Sequence, residues 1–219
     1  NKLRKENGSV EILHEDIAFS IPDNWVWCKL DAIAEKTTDG EHLSPMKTFS
    51  GMPLLTALHV TARGLTLNNP QYISIEDGLK SRQRCDPKRG DLLICSRGTI
   101  GRCAVVETDE IFCLMGSVIL VRFPAESSPR YFKYFFSTDL AQREMRGMSG
   151  ATAVQALYLK DIRKLLIPLP PLPEQHRIVA KVDELMALVD DLENNLAASR
   201  TTATNLLDAV VAELTSGKK

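Results

Sequence analysis

Along the last quarter of the chain, one stripe of residues recurs with spacings of four and three in strict alternation. Its members are Ile178, Val182, Leu185, Val189, Leu192, Leu196, Ser199, Ala203, Leu206 and Val210. This is a heptad repeat, and so narrow a seam calls for a second helix. Residues 174–215 contain neither proline nor glycine, the two residues that most often stop a helix. Pro173 suits the first helical position, Glu174 meets the positive end of the helix dipole, and Gly217 is a stop signal. The pattern predicts a single helix about 60 Å long, too long to lie on a small domain over its whole length. Ser199 and Ala203 thin the seam at its centre, where a neighbouring helix can come close.

Upstream, the periodicity changes. Pro22-Asp23-Asn24 predicts a turn and residues 25–30 a strand, with Trp25 and Trp27 on one face. Residues 30–36 suit a short helix, stopped by Thr37-Thr38-Asp39-Gly40. Residues 41–53 read as a loop broken by Pro45, Gly51 and Pro53. A strand is expected at 54–60, turns at Gly64 and Asn68-Asn69-Pro70, a short strand at 71–74 and a short helix at 75–81. Two apolar runs, 92–95 and 103–106, are joined by Ser96-Arg97-Gly98-Thr99-Ile100-Gly101-Arg102 in a hairpin-like loop. Runs 111–115 and 117–123 are expected to extend that sheet. Residues 129–146 read as one amphipathic helix whose Tyr131, Phe132, Phe135, Phe136 and Leu140 belong to the core. A loop of small residues, 147–153, follows beside Arg143 and Arg146. Segments 159–162 and 165–169 lead into a proline clamp, Pro168-Leu169-Pro170-Pro171-Leu172-Pro173, a stiff approach to the long helix.

The fold class is therefore α+β: a globular mixed α/β domain followed by one long coiled-coil-forming helix. The expected division is a polar arm over 1–16, the globular domain over 17–170 and the helix over 171–219. The 219 residues suffice for one real core plus the rod.

Charge refines this picture. The net charge is −1, yet residues 171–219 hold five basic and eight acidic residues. Residues 63–102 hold eight basic against four acidic, and residues 130–164 seven against three. Two locally positive segments on a near-neutral domain suit a protein that meets DNA on one face. The five cysteines are odd in number and lack C-x-x-C spacing. They make neither a zinc pattern nor a disulfide framework, and the chain reads as reduced and cytoplasmic. No apolar run has membrane-spanning length.

The loop at 96–102 carries the clearest binding chemistry. Its glycines permit positive φ and close backbone approach to a ligand. Arg97 and Arg102 flank it, and arginine grips phosphate and guanine edges in a bidentate way. On spacing alone, arginines that merely face water account for the pattern equally well. No Walker loop, dinucleotide fingerprint or Asn- or Asp-Pro-Pro-aromatic tetrapeptide occurs, so no catalysis and no cofactor are expected. Asp39, Glu41 and His42 offer metal-binding chemistry in principle, but loop polarity explains them and no metal is expected.

The run Leu165-Leu166-Ile167-Pro168-Leu169-Pro170-Pro171-Leu172-Pro173-Glu174-Gln175-His176-Arg177-Ile178-Val179 resembles a junction in specificity subunits of type I restriction–modification enzymes (the HsdS family). There a target-recognition domain ends and a spacer helix begins. Ile21-Pro22-Asp23-Asn24-Trp25-Val26-Trp27-Cys28-Lys29-Leu30 resembles the opening of such a domain. Gly90-Asp91-Leu92-Leu93-Ile94 followed by Gly98-Thr99-Ile100-Gly101 resembles its internal hairpin. Gly150-Ala151-Thr152 before Leu159-Lys160-Asp161-Ile162 resembles its closing segment. The likeness runs from about Ile17 onward.

The resemblance implies a mechanism. A complete subunit has two recognition domains and two antiparallel spacer helices about a pseudo-twofold axis. Each domain reads one half of a split DNA target, and the helices fix the gap. Modification subunits dock on this frame and carry methyl transfer; restriction subunits carry translocation and cleavage. The present chain holds one domain and one helix. It is thus expected to be half a subunit, by its polar arm the C-terminal half, and to pair with a second copy through the helix. Expected partners are double-stranded DNA, the modification subunits and, through them, the restriction subunits. Expected DNA contacts are Arg63, Arg84, Lys88, Arg97, Thr99, Arg102, Arg146, Thr152 and Gln155. Two rivals are a coiled-coil adaptor that binds only protein, and a metal nuclease using Asp39, Glu41 and His42.

Overall fold

The computed structural model describes residues 19–149 and 155–216. The expected arm at 1–16 and the Gly150-Ala151-Thr152 segment lie outside the described residues. Two compact units divide between His176 and Arg177.

The first unit runs β1 (Val26–Lys29), α1 (Leu30–Ile33), β2 (Lys36–Asp39), β3 (Lys47–Thr48), β4 (Met52–Leu55) and a 3₁₀ turn (Ala57–His59). It continues with β5 (Val60–Thr61), β6 (Gly64–Leu65), β7 (Gln71–Ile73), α2 (Ile75–Arg84), β8 (Leu92–Cys95), β9 (Cys103–Val105) and β10 (Cys113–Leu114). Then come β11 (Val118–Arg122), α3 (Pro129–Phe136), α4 (Asp139–Met148), α5 (Leu159–Ile162) and β12 (Leu166–Leu169). α6 (Leu172–Ser216) begins in this unit and makes up the described part of the second. Among the described residues, no helix is long and apolar enough to cross a membrane.

Two four-stranded sheets form the core, in the orders β2-β11-β8-β9 and β10-β4-β7-β3. The predicted hairpin is present, with β8 antiparallel to β9. Leu93, Cys95, Ala104, Val118 and Leu120 point to one face and cluster with Leu55, Val60, Phe112 and Leu114. α3 packs on β8 and β9, and its Phe132 stacks on Phe123 with ring centroids 3.7 Å apart. All four residues of β8 are buried, which is why that strand reads as a continuous apolar run.

Several expectations are corrected. The loop expected at 41–53 contains β3 and the first two residues of β4. Thr37-Thr38-Asp39 is not a stop but part of β2, paired antiparallel with β11; β-branched residues favour that pleated position. The stop falls at Gly40, where an added Cβ would lie 2.0 Å from Leu114 O. The strand expected at 54–60 ends at Leu55, because Thr56 caps the 3₁₀ turn: its Oγ1 accepts from Leu58 N–H at 3.3 Å. Residues 111–115 do not extend the hairpin's sheet; β10 runs parallel to β4 in the other one. Finally, residues 129–146 make two helices. Thr138 Oγ1 donates to Phe135 O at 2.7 Å and accepts from Ala141 N–H at 3.3 Å, closing α3 and opening α4. The aromatic residues Tyr131, Phe132, Phe135 and Phe136 are buried, as core residues should be.

The first unit closes on itself. β12 pairs antiparallel with β1, from Val26 opposite Leu169 to Lys29 opposite Leu166. Tyr131 donates its hydroxyl to Pro168 O. The first turn of α6 is then clasped by Gln175, whose side chain is buried. Its Oε1 accepts from Ser128 N–H at 3.0 Å and its Nε2 donates to Pro170 O at 3.0 Å.

The second unit is helix. Of the predicted seam, Ile178 and Val182 are half-buried, whereas every member from Leu185 to Val210 is exposed. Hydroxyls of Thr201, Thr202 and Thr204 bond back to the carbonyls of Ala197, Ala198 and Arg200, so their polarity is turned onto the helix itself.

Candidate nucleic-acid interface

The β8–β9 connection is held from three sides. Gly98 and Gly101 adopt φ of 73° and 84°, the left-handed region open to glycine at little cost. Cys95 N–H donates to Arg102 O at 2.8 Å, and Gly101 N–H to Cys95 O at 3.0 Å. On one side Ser96 N–H donates to Ser117 O at 2.9 Å, and Ser96 Oγ to Gly116 O at 3.1 Å. On a second side Arg97 bridges antiparallel to Ala156, and Leu157 N–H donates to Ser96 O at 2.8 Å. On the third, Gln142 of α4 donates Nε2–H to Gly101 O at 2.9 Å. A Cβ at Gly101 would fall 2.8 Å from the Gln142 amide.

This scaffold brings several predicted residues together. Arg97 and Thr99 are exposed on the connection, Gln155 is exposed next to the bridging Ala156, and Arg146 is exposed in the last turn of α4. Arg97 also lines an open depression of about 140 Å³ with Glu41, His42, Thr56 and Ser117. Of these, His42 has its Nε2 3.0 Å from Asp39 Oδ2, and the other Asp39 oxygen takes a hydrogen bond from Arg84. Arg84 is thus tethered yet half-exposed beside the same hollow. Asp39 serves as the anchor of a cation, and among the described residues no three His, Cys, Asp or Glu side chains converge to hold a metal.

Other predicted residues sit apart or face inward. Arg102 is half-buried and donates Nη2–H to Ala57 O at 3.0 Å, so it fastens the connection to the 3₁₀ turn. Lys88 lies 3.4 Å from Asp86 and lines a different depression with Arg82, Arg89 and Asp109. Arg63 is exposed in the turn between β5 and β6, two strands that pack on β9. Thr152 lies outside the described residues.

Sequence reasoning missed Gln142 and Gln175. Each is an amide whose partner is distant in sequence, and only Gln175, beside the proline clamp, stood next to a recognisable motif. The thiols are free, four buried and one half-buried. Burial pushes Cys28 and Cys85 up to about 12 and raises Cys95, Cys103 and Cys113. They stay protonated and behave as small hydrophobes.

A hairpin whose glycines expose backbone and arginine is thus set on a two-sheet core, and a long helix follows. Residues 22–199 match the model of the type I restriction modification DNA specificity domain, and the chain belongs to that family. It is 27% identical over 175 residues to the type I restriction enzyme EcoBI specificity subunit of Escherichia coli, covering 77% of this chain and 35% of that one. It is 25% identical over 206 residues to the EcoKI specificity subunit of E. coli strain K12, covering 90% and 44%. The fold is that of the HsdS subunit from Thermoanaerobacter tengcongensis, with a TM-score of 0.62 at 23% identity over 81% of this chain and 41% of that one. It is equally that of a chain from a type I R-M system, with a TM-score of 0.67 at 22% identity over 86% and 45%. The chain therefore spans less than half the length of these relatives.

Proposed function

We propose that this chain reads one half of a split DNA target for a type I restriction–modification assembly and leaves the chemistry to other polypeptides. The convergence of Arg97, Thr99, Gln155 and Arg146 around the β8–β9 connection carries the reading, because it groups cationic and amide donors on a braced loop. In this reading Arg97 and Gln155 meet base edges or phosphate, with Arg84 beside them. Arg63 and Lys88 are peripheral contacts, Thr152 is a further contact, and Arg102 supports the loop. The helix sets the gap between half-targets and docks modification subunits, through which restriction subunits are reached. Two copies pair through the seam residues Leu185, Val189, Leu192, Leu196, Ala203, Leu206 and Val210, with Ile178 and Val182 at its root. The whole assembly works in the cytoplasm. Tethering of Asp39 by Arg84 and His42 disfavours the metal-nuclease reading.

The decisive experiment reconstitutes the chain with a modification subunit and maps methylated sites. The expected result is a bipartite site whose occupancy falls with salt. Arg97→Ala should weaken DNA binding, either uniformly with a flatter salt slope or by relaxing one target position. Methylation without sequence preference, or with preference unchanged on removing this chain, would end the proposal. Deleting one heptad shortens the rod by about 10 Å, close to three base-pair rises, and should change the gap accordingly.

A further inference from the structure

We propose that the bare seam of α6 takes a second copy of itself in one register, antiparallel, with the twofold axis between Ala197 and Ala198. The proposal rests on the helix pairing put forward above and adds which residue meets which.

Volume comes first. Val182, Val189, Leu196, Ala203 and Val210 occupy one of the two core positions of the heptad, and Leu185, Leu192, Ser199 and Leu206 the other. A parallel pair in register would set like against like. Ser199 would face Ser199 and Ala203 would face Ala203, two adjacent layers without enough volume to exclude water. In an antiparallel pair each core position faces the other kind. With the axis between Ala197 and Ala198, Leu196 meets Ser199 of the second copy, Leu192 meets Ala203, Val189 meets Leu206 and Leu185 meets Val210. Each small residue then has a leucine opposite it. All eight positions are exposed in this chain.

Charge then chooses among antiparallel registers. Between Val182 and Leu214 the only base is Arg200. It shares its heptad position, flanking the core, with Glu193, Met186 and Leu207. Glu193 and Arg200 stand two turns apart, about 10 Å along one helix, too far to meet. Neither makes an ion pair with a described residue. In the proposed register Glu193 of each copy flanks Arg200 of the other, and Met186 flanks Leu207. A slide of one heptad one way brings Glu193 against Glu193. A slide the other way brings Arg200 against Arg200 and sets Ser199 opposite Ala203. One exposed ion pair stabilises little, but like charges in apposition penalise the wrong partner, and two such terms suffice to select a register.

The test uses the full chain and follows self-association by sedimentation equilibrium. Glu193→Arg and Arg200→Glu should each weaken self-association roughly ten-fold, through two lost attractions and two new repulsions. Their equimolar mixture should recover wild-type affinity as a heterodimer, since each swapped charge then meets its opposite. Under mild oxidation, Leu196→Cys chains should cross-link to Ser199→Cys chains and not to one another. A wild-type dimer that ignores both charge swaps, or self-cross-linking of Leu196→Cys, overturns the register while leaving the pairing itself intact. A wild-type monomer at tens of micromolar overturns the pairing and the register with it.

Discussion

β8 and the seam of α6 are both rich in leucine and use it in opposite ways. In β8 all four side chains are buried between a second sheet and an aromatic helix. In α6, Leu192 is 68% exposed and Leu206 65%. The first arrangement needs nothing from outside. The second leaves a contiguous apolar stripe in water, and such a stripe calls for a partner. The comparison sets a stretch whose apolar side chains are enclosed against one whose apolar side chains face water, so a substitution can be aimed at either alone.

Four substitutions sharpen that contrast, ordered by their expected effect on the stability of the first unit. Asp91→Ala comes first. The Asp91 carboxylate is buried and takes Nε–H and Nη2–H of Arg122 at 2.8 and 2.7 Å, along with Lys88 N–H at 2.8 Å. Removing it takes the main partner from a guanidinium that is itself mostly covered, leaving it the carbonyl and carboxylate of Asp86, at a cost of about 3 kcal/mol in urea denaturation. A cost below about 1 kcal/mol would mean that solvent reaches this pair and that the core is less closed than described.

Gln175→Ala is next. It deprives Ser128 N–H and Pro170 O of their partners and should cost about 1–3 kcal/mol in the same assay. Urea curves that overlay the wild type would show that the clasp is incidental.

Asp86 gives a pH effect. Burial pushes its carboxyl pKa up, but the hydrogen bond and charge of Lys36, with Arg122 and Lys88, outweigh burial and hold it at about 2. The unfolded carboxyl titrates near 3.9. The folded value is therefore depressed, and the stabilisation is complete above pH about 4 and disappears as pH falls toward about 2. Asp86→Asn should melt below the wild type at pH 7 and converge with it in strong acid. A constant difference across that window would remove the linkage.

Leu192→Asp should have the smallest effect on the first unit, within about 0.5 kcal/mol, while abolishing self-association in light scattering. If the first unit's own melting fell by several kcal/mol, the separation of roles would break down.

Much of this was legible in the sequence because it is local. The heptad stripe specified α6 through its period, and Gly98 and Gly101 specified the bend between β8 and β9. What escaped was non-local or decided by a single side chain. The parallel pairing of β10 with β4 joins residues some sixty positions apart, and no pattern within either strand encodes the partner. The break at Thr138 turns on one hydroxyl that serves both a helix end and a helix start. At the candidate interface, Arg97 and Arg102 look alike in the sequence. One is exposed and the other reaches back to Ala57, a distinction fixed by which face of the hairpin the 3₁₀ turn covers.

The ribbon of β1 and β12 has a consequence of its own. The polypeptide enters the globular region along one strand and departs along its immediate neighbour, so the 136 residues between Lys29 and Leu166, counting neither, hang from a single hinge-width of backbone. A region moored that way behaves as a cartridge: another of different content can be spliced in at the same two strands while everything beyond the mooring keeps its course.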